Sequence, residues 1–167
     1  ADDLKGRNGF KRCLQFTLYR PRDLLSLLNE AFFSAFRENR ETIINTDLEY
    51  AAKSISMARL EDLWKEYQKI FPSIQVITSA FRSIELTVYT CLKKIEASFE
   101  LIEENGDPKI TSEIQLLKAS GILQSLYSVG FVGIRDKNTS SYSFCHDGRT
   151  PDKGFESNEK LLIHPCY

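Results

Sequence analysis

Apolar positions follow helical spacing over most of this chain and change to strand-like alternation near its end. Leu24, Leu25, Leu27, Leu28, Ala31, Phe32, Ala35 and Phe36 cover most of one helical circumference. A helix apolar on that many sides is expected to be buried by more than one neighbour. Pro21 suits its first turn, where a missing N–H costs nothing, and Asp23 suits the helix dipole. The helix should fade near Asn39. The β-branched stretch Thr42-Ile43-Ile44 then leads to Asn45-Thr46-Asp47, a helix-start signal. This predicts a short helix to about Ser54 and another from about Met57 to Phe71. In the second, Leu60, Leu63, Trp64, Tyr67, Ile70 and Phe71 keep the i, i+3, i+4, i+7 rule and read as core. Phe71-Pro72-Ser73 ends it, because the residue before proline disfavours helix. Ser73 is placed to cap one more short helix to about Phe81.

Val88, Leu92, Ile95, Phe99 and Ile102 form a further helical stripe, stopped by Asn105-Gly106-Asp107-Pro108. Thr111 or Ser112 is expected to cap a helix to about Val129, with Gly130 as its stop. The period then changes. Phe131-Val132-Gly133-Ile134 and Tyr142-Ser143-Phe144-Cys145 read as strands around a polar turn, and Leu161-Leu162-Ile163 as a last strand. At the other end, the first ten residues look like a loose lead-in. Cys13 to Tyr19 reads as a short strand, since Leu14, Phe16 and Leu18 alternate with Cys13, Gln15 and Thr17. The expected class is mainly α (α+β): a lead-in (1–13), a helical bundle (14–82) and a winged-helix-like part with a small β-hairpin (83–167).

Composition narrows the function. The chain has 167 residues, 42% of them hydrophobic and 27% charged, and a net charge of −1. That is enough for a core, and it disfavours holding a polyanion by charge alone. The balance is +2 over residues 1–82 and −3 over 83–167. No run of about 18 uncharged apolar residues suggests a membrane span. The acidic start Ala1-Asp2-Asp3 does not resemble a signal peptide, and the missing initiator Met suggests a piece of a longer protein. Cys13, Cys91, Cys145 and Cys166 lack paired spacing, which fits reduced thiols in a cytoplasmic protein.

Certain stretches resemble the C-terminal part of bacterial AAA-like and STAND-like P-loop ATPases. They are Tyr19-Arg20-Pro21-Arg22-Asp23-Leu24-Leu25, Asn45-Thr46-Asp47, Leu126 to Ile134, and Leu162-Ile163-His164-Pro165. In those ATPases a helical lid and a winged helix follow the nucleotide-binding core. The resemblance implies that one of Arg20 and Arg22 senses the γ-phosphate from the helix start. The chain departs from the family in lacking any G-x-x-x-x-G-K-[S/T] loop. ATP and Mg would therefore belong to an upstream core, this chain would hold no cofactor, and it would not be an enzyme by itself.

The residues alone leave plainer readings beside that one. Arg20 and Arg22 flank Pro21 at a helix N-terminus, which favours anions, yet each could equally be solvated or pair with Asp23 or Glu30. Lys118, Arg135, Lys137, Arg149 and Lys153 are the cations that a protein partner or DNA would meet on the winged-helix part. The face with Glu113, Lys118, Ser120, Gln124, Ser125 and Ser128 carries one charge of each sign, too little for a groove-reading helix. Cys145-His146 and His164-Pro165-Cys166 invite a metal reading, but zinc needs four converging ligands and adjacent strand residues point to opposite faces. Neither metal nor a catalytic constellation is expected. Glu100, Glu103, Glu104 and Asp107 read as a solvated helix end. The alternatives to an ATPase relay are a DNA-binding winged helix and a scaffold or homo-oligomerisation domain.

Overall fold

The computed structural model describes residues 6–83, 90–91, 97, 99–101, 103–104, 108–135, 142–147 and 160–167. The fold is mainly α with one small antiparallel sheet. The helices are α1 (Gly6–Leu14), α2 (Pro21–Arg37), α3 (Asn45–Tyr67), α4 (Ile74–Ser83), α5 (Pro108–Ser120) and α6 (Ile122–Ser128). The strands are β1 (Thr90–Cys91), β2 (Val132–Arg135), β3 (Tyr142–Ser143) and β4 (Lys160–Ile163). Among the described residues, no helix is long and apolar enough to cross a membrane. The chain forms two compact units: Ala1–Asp62 with His164–Tyr167, and Leu63–Ile163. The sequence boundary expected at residue 82 falls inside α4.

The first unit is built by α1, α2 and α3 through Asp62. Its core contains Cys13, Phe16, Leu27, Ala31, Leu48, Ala51 and Ala52, with Leu24, Leu28, Ile43 and Ile55 packed against them. The strand expected at Cys13–Tyr19 does not form. Cys13 and Leu14 end α1, and the Phe16 and Thr17 amides donate to the Cys13 and Leu14 carbonyls in a tightening turn. Cys13, Phe16 and Thr17 are buried at helical spacing, so three apolar residues in alternation were too short a pattern to fix the period. The loose start is likewise helical from Gly6.

α2 keeps its expected limits. Pro21 opens it, and Asn39 closes it at φ 52°, where the Arg40 amide donates to the Ala35 carbonyl. The two helices expected between Asn45 and Phe71 are one continuous helix, α3. Its start is fixed by Asp47, whose carboxylate accepts from the Ile44 amide at 2.9 Å, one half of a capping box. Arg40 grips the same carboxylate at 2.5 and 2.7 Å, and the Ser34 hydroxyl donates at 2.8 Å.

Hydrogen bonds from Arg40, helped by the Ile44 amide and Ser34, outweigh burial and hold the Asp47 carboxyl far below the usual carboxylate range. A folded-state value below the unfolded one adds stability above an unfolded pKa of about 4, and that stability fades as pH falls further. Urea unfolding at pH 6 and pH 3 should therefore show a smaller acid loss for Asp47→Asn than for the unaltered chain. Equal losses would remove Asp47 as a contributor.

In the second unit, the Trp64 indole N–H donates to the Thr78 hydroxyl at 2.8 Å, and that hydroxyl donates to the Ile74 carbonyl at 2.7 Å. Phe81 of α4 meets Phe99 and Phe131 edge to face, with centroids 6.1 and 5.3 Å apart. The Ser73 hydroxyl, expected as a cap, is buried without a hydrogen-bond partner among the described residues. The single helix expected from Ser112 to Val129 begins earlier, at Pro108, and is split at Gly121 (φ 87°) into α5 and α6. α6 ends as expected at Gly130 (φ 76°), with Phe131 N–H donating to Leu126 and Gly130 N–H to Tyr127. In the stretch expected as one helix from Val88 to Ile102, β1 takes up 90–91 and the described residues from 97 to 104 are helical, while Val88, Leu92, Ile95 and Ile102 lie outside the described residues.

The sheet has the order β1-β4-β2-β3, antiparallel throughout. Ile134 stands opposite Ser143 and Leu161, and Val132 opposite Ile163. Gly133 lets the Phe144 ring approach the strand closely, since a Cβ there would meet a ring carbon at 2.6 Å. Gly133→Ala should cost about 1–3 kcal/mol through displacement of that buried ring. A thermal melt unchanged within error would contradict the packing.

Candidate functional site

The chemically richest place in the first unit is the entrance to α2. Tyr19 stands at φ 57°, in the left-handed region that costs a bulky residue roughly 1 kcal/mol. Arg20 follows in extended conformation as N-cap, with no side-chain cap hydrogen bond, and its carbonyl takes the Asp23 and Leu24 amides. Pro21 then sets the helical φ, so Arg20 and Arg22 flank it at the positive end of the helix.

A ladder of alternating charges runs from this entrance into the core. Asp23 is 2% exposed and bonds Arg59 at 2.5 Å. Arg59 lies 3.6 Å from Asp62, and Asp62 receives Arg22 at 3.0 Å. The outer rung is wet, with the Arg22 side chain 64% exposed, whereas the inner pair is dry. The Nε of Arg59 is buried without a hydrogen-bond partner among the described residues. Cys166 also lies in this unit, within electrostatic reach of Asp23 and Arg59. Burial, then Asp23, push its thiol well above the ordinary range, so it is a poor nucleophile at neutral pH. The Nδ1 of His164 accepts from the Cys166 amide at 3.2 Å, which folds residues 164–167 into a turn.

The structure thus brings Arg22 to Asp62, not to Asp23 or Glu30, and Glu30 accepts from Ser54 instead. Sequence reasoning missed Arg59 and Asp62. They sit three residues apart on α3, and the signal was a basic residue at a helix position otherwise reserved for core. Of the other cations, Lys118 on α5 is bound to Glu103 at 2.6 Å, and Arg135 is half-buried at the end of β2. Lys137, Arg149 and Lys153 lie outside the described residues.

Cys145 and His146 occupy a 3-10 turn instead of a strand, and the Cys145 thiol donates to the Ser128 carbonyl. Burial raises its pKa, as it does that of Cys13. Among the described residues, no three His, Cys, Asp or Glu side chains gather as metal ligands would.

α2 also has a face that its own unit leaves open. Asp23, Leu27, Ala31 and Ala35 point inward, and Leu25, Asn29, Phe32, Phe33 and Phe36 outward, with Phe36 77% exposed.

The geometry therefore defines a mainly helical module with a charged helix entrance and an open apolar helix face. Residues 1–64 match a family described as the FunZ-associated C-terminal helical domain. The whole chain is 99% identical to a protein of Escherichia coli (strain K12) named "Putative transposon gamma-delta 80.3 kDa protein", of which it spans 24%. Over 72% of its length it is 98% identical to "Allergen Alt a 2" of Alternaria alternata, covering 64% of that protein. The chain spans about a quarter of the first of these relatives and under two thirds of the second. No solved structure matches. Neither the family description nor either name mentions a nucleotide.

Proposed function

We propose that this chain is a non-catalytic relay module of a longer polypeptide. Its helical unit meets a P-loop nucleotide-binding core carried elsewhere in that polypeptide, and its sheet-bearing unit meets a protein partner. The observation that carries the reading is the α2 entrance, where two arginines flank a proline-primed helix start beside a strained Tyr19. The outer Arg22–Asp62 pair is exposed, and such pairs contribute only about 0–1 kcal/mol. Arg22 can therefore exchange Asp62 for a phosphate oxygen at little cost. Asp62 is then left to Arg59 alone, and the exchange reaches the buried Asp23 through one shared guanidinium. The family description as a C-terminal helical domain and the length of the Escherichia coli relative support a module within a larger protein. The second unit runs α4, β1, the helical residues between 97 and 104, α5, α6, β2, β3 and β4, and its helix, helix, strand, strand succession from α5 to β3 supports the winged-helix reading. A protein partner is favoured over DNA because Lys118 is already neutralised by Glu103.

The test is nucleotide binding and hydrolysis by the full-length polypeptide. Arg22→Ala or Arg20→Ala should lower affinity or turnover about tenfold, the scale of one hydrogen bond to a charged group. Asp62→Asn should raise affinity by releasing Arg22. Values unchanged in all three variants would end the relay reading.

A further inference from the structure

The open face of α2 calls for an occupant. Leu25, Phe32 and Phe36 recur at helical spacing along one stripe, with Phe33 beside it, and all four are more than half exposed. The buried residues of α2 lie on the other side of the helix. A sequence apolar on nearly every side asks for cover on both faces, and among the described residues α1 and α3 pack on the inward face of α2.

The stripe has a charge pattern. Arg22 lies at its N-terminal end, and Arg37 at its C-terminal end has its guanidinium 5.9 Å from the Phe33 ring centroid. Acidic side chains on α2 are confined to Asp23, turned inward against Arg59, and the half-buried Glu30. The stripe is therefore apolar between the Arg22–Asp62 pair and the basic Arg37 end, and it fits an apolar groove with carboxylates at the rim that meets Arg37.

Three phenylalanines and a leucine at these exposures present roughly 500 Å² of apolar surface. A stable interface between free molecules takes about 800 Å² per partner. Rather more than half of that area is apolar, about 450 Å², so the stripe supplies the apolar part of one docking surface. It is sufficient for a partner on the same polypeptide, where tethering supplies effective concentrations of about millimolar. The Escherichia coli relative leaves about three quarters of its length outside the matched region, enough for such a partner.

We infer that Leu25, Phe32, Phe33 and Phe36 dock the helical unit intramolecularly, into an apolar, carboxylate-rimmed groove on the remainder of the longer polypeptide. This rests on the reading of the chain as a module of a longer protein, but not on nucleotide sensing.

The full-length polypeptide carrying the photo-crosslinker p-benzoylphenylalanine at position 36, or at position 53 of the exposed α3 surface as control, tests it. Position 36 should give an intramolecular cross-link to a peptide outside these 167 residues, with a yield independent of protein concentration and at least fivefold that of position 53. In Phe32→Ser the yield from position 36 should drop severalfold while circular dichroism stays unchanged. Cross-links joining two copies, or a yield from position 36 no higher than from position 53, would overturn the inference. Loss of the Arg22 effect on nucleotide with the position 36 cross-link retained would sink the relay alone.

Discussion

Replacing Arg59 by methionine should lower the unfolding free energy by about 3–5 kcal/mol, the usual cost of stranding one member of a buried ion pair. Asp23, at 2% exposure, would lose the guanidinium that its carboxylate pairs with. The Leu18 amide lies 3.5 Å from that carboxylate, too far to compensate for a guanidinium. The double variant Asp23→Leu with Arg59→Met removes both charges, and it should recover most of the loss because apolar residues of similar volume often replace such pairs without penalty. Urea unfolding followed by far-ultraviolet circular dichroism reads both. A single variant costing less than about 1 kcal/mol would mean that water reaches Asp23 and that the inner rung of the ladder is not dry.

The second unit should answer most strongly to Phe81→Ala, with an expected cost of about 3–5 kcal/mol. Phe81 is 3% exposed and supplies the ring shared by two edge-to-face contacts, one to Phe99 and one to Phe131 just ahead of β2. Truncation leaves a cavity between α4 and both partners, and it removes aromatic pairing worth about 0.5–1.5 kcal/mol per pair beyond area. Phe81→Leu, which keeps much of the volume, should cost less than half as much. The Trp64 indole, tied to Thr78 on the same helix, reports this unfolding by fluorescence. An alanine variant within about 1 kcal/mol of the unaltered chain would show that the cluster relaxes to fill the gap.

How much of this was legible from residues alone depends on where the physics is local. The start of α2 at Pro21, its end at Asn39, the stop at Gly130 and the hairpin of β2 and β3 all follow from backbone preferences of one or two residues, and all stand where the sequence puts them. The errors arise where neighbours in space decide. Leu14, Phe16 and Leu18 alternate, but burial of Cys13 and Phe16 against α2 and α3 selects a helix and turn. The stretch between Ser54 and Met57 has no breaker, so α3 runs through it. Val88 to Ile102 is apolar at helical period, yet pairing of Thr90 with Leu161 draws β1 out of that run. At the candidate site, Arg20, Arg22 and Asp23 announce themselves by their position at a helix start. Arg59 and Asp62 do not, because their meaning comes from residues some forty positions away.

The first compact unit closes with residues 164–167, whose turn places Cys166 beside Asp23 and Arg59. On a ribosome moving at about 5–20 residues per second, the hundred or so residues between Asp62 and His164 take roughly 5–20 s to appear. For that interval the helices of this unit wait without the turn that brings Cys166 within electrostatic reach of Asp23 and Arg59. Maturation of this unit is therefore timed by residues made after the whole of the second unit, and a nascent chain halted before His164 should be cut by protease near Arg59 where the longer one is not.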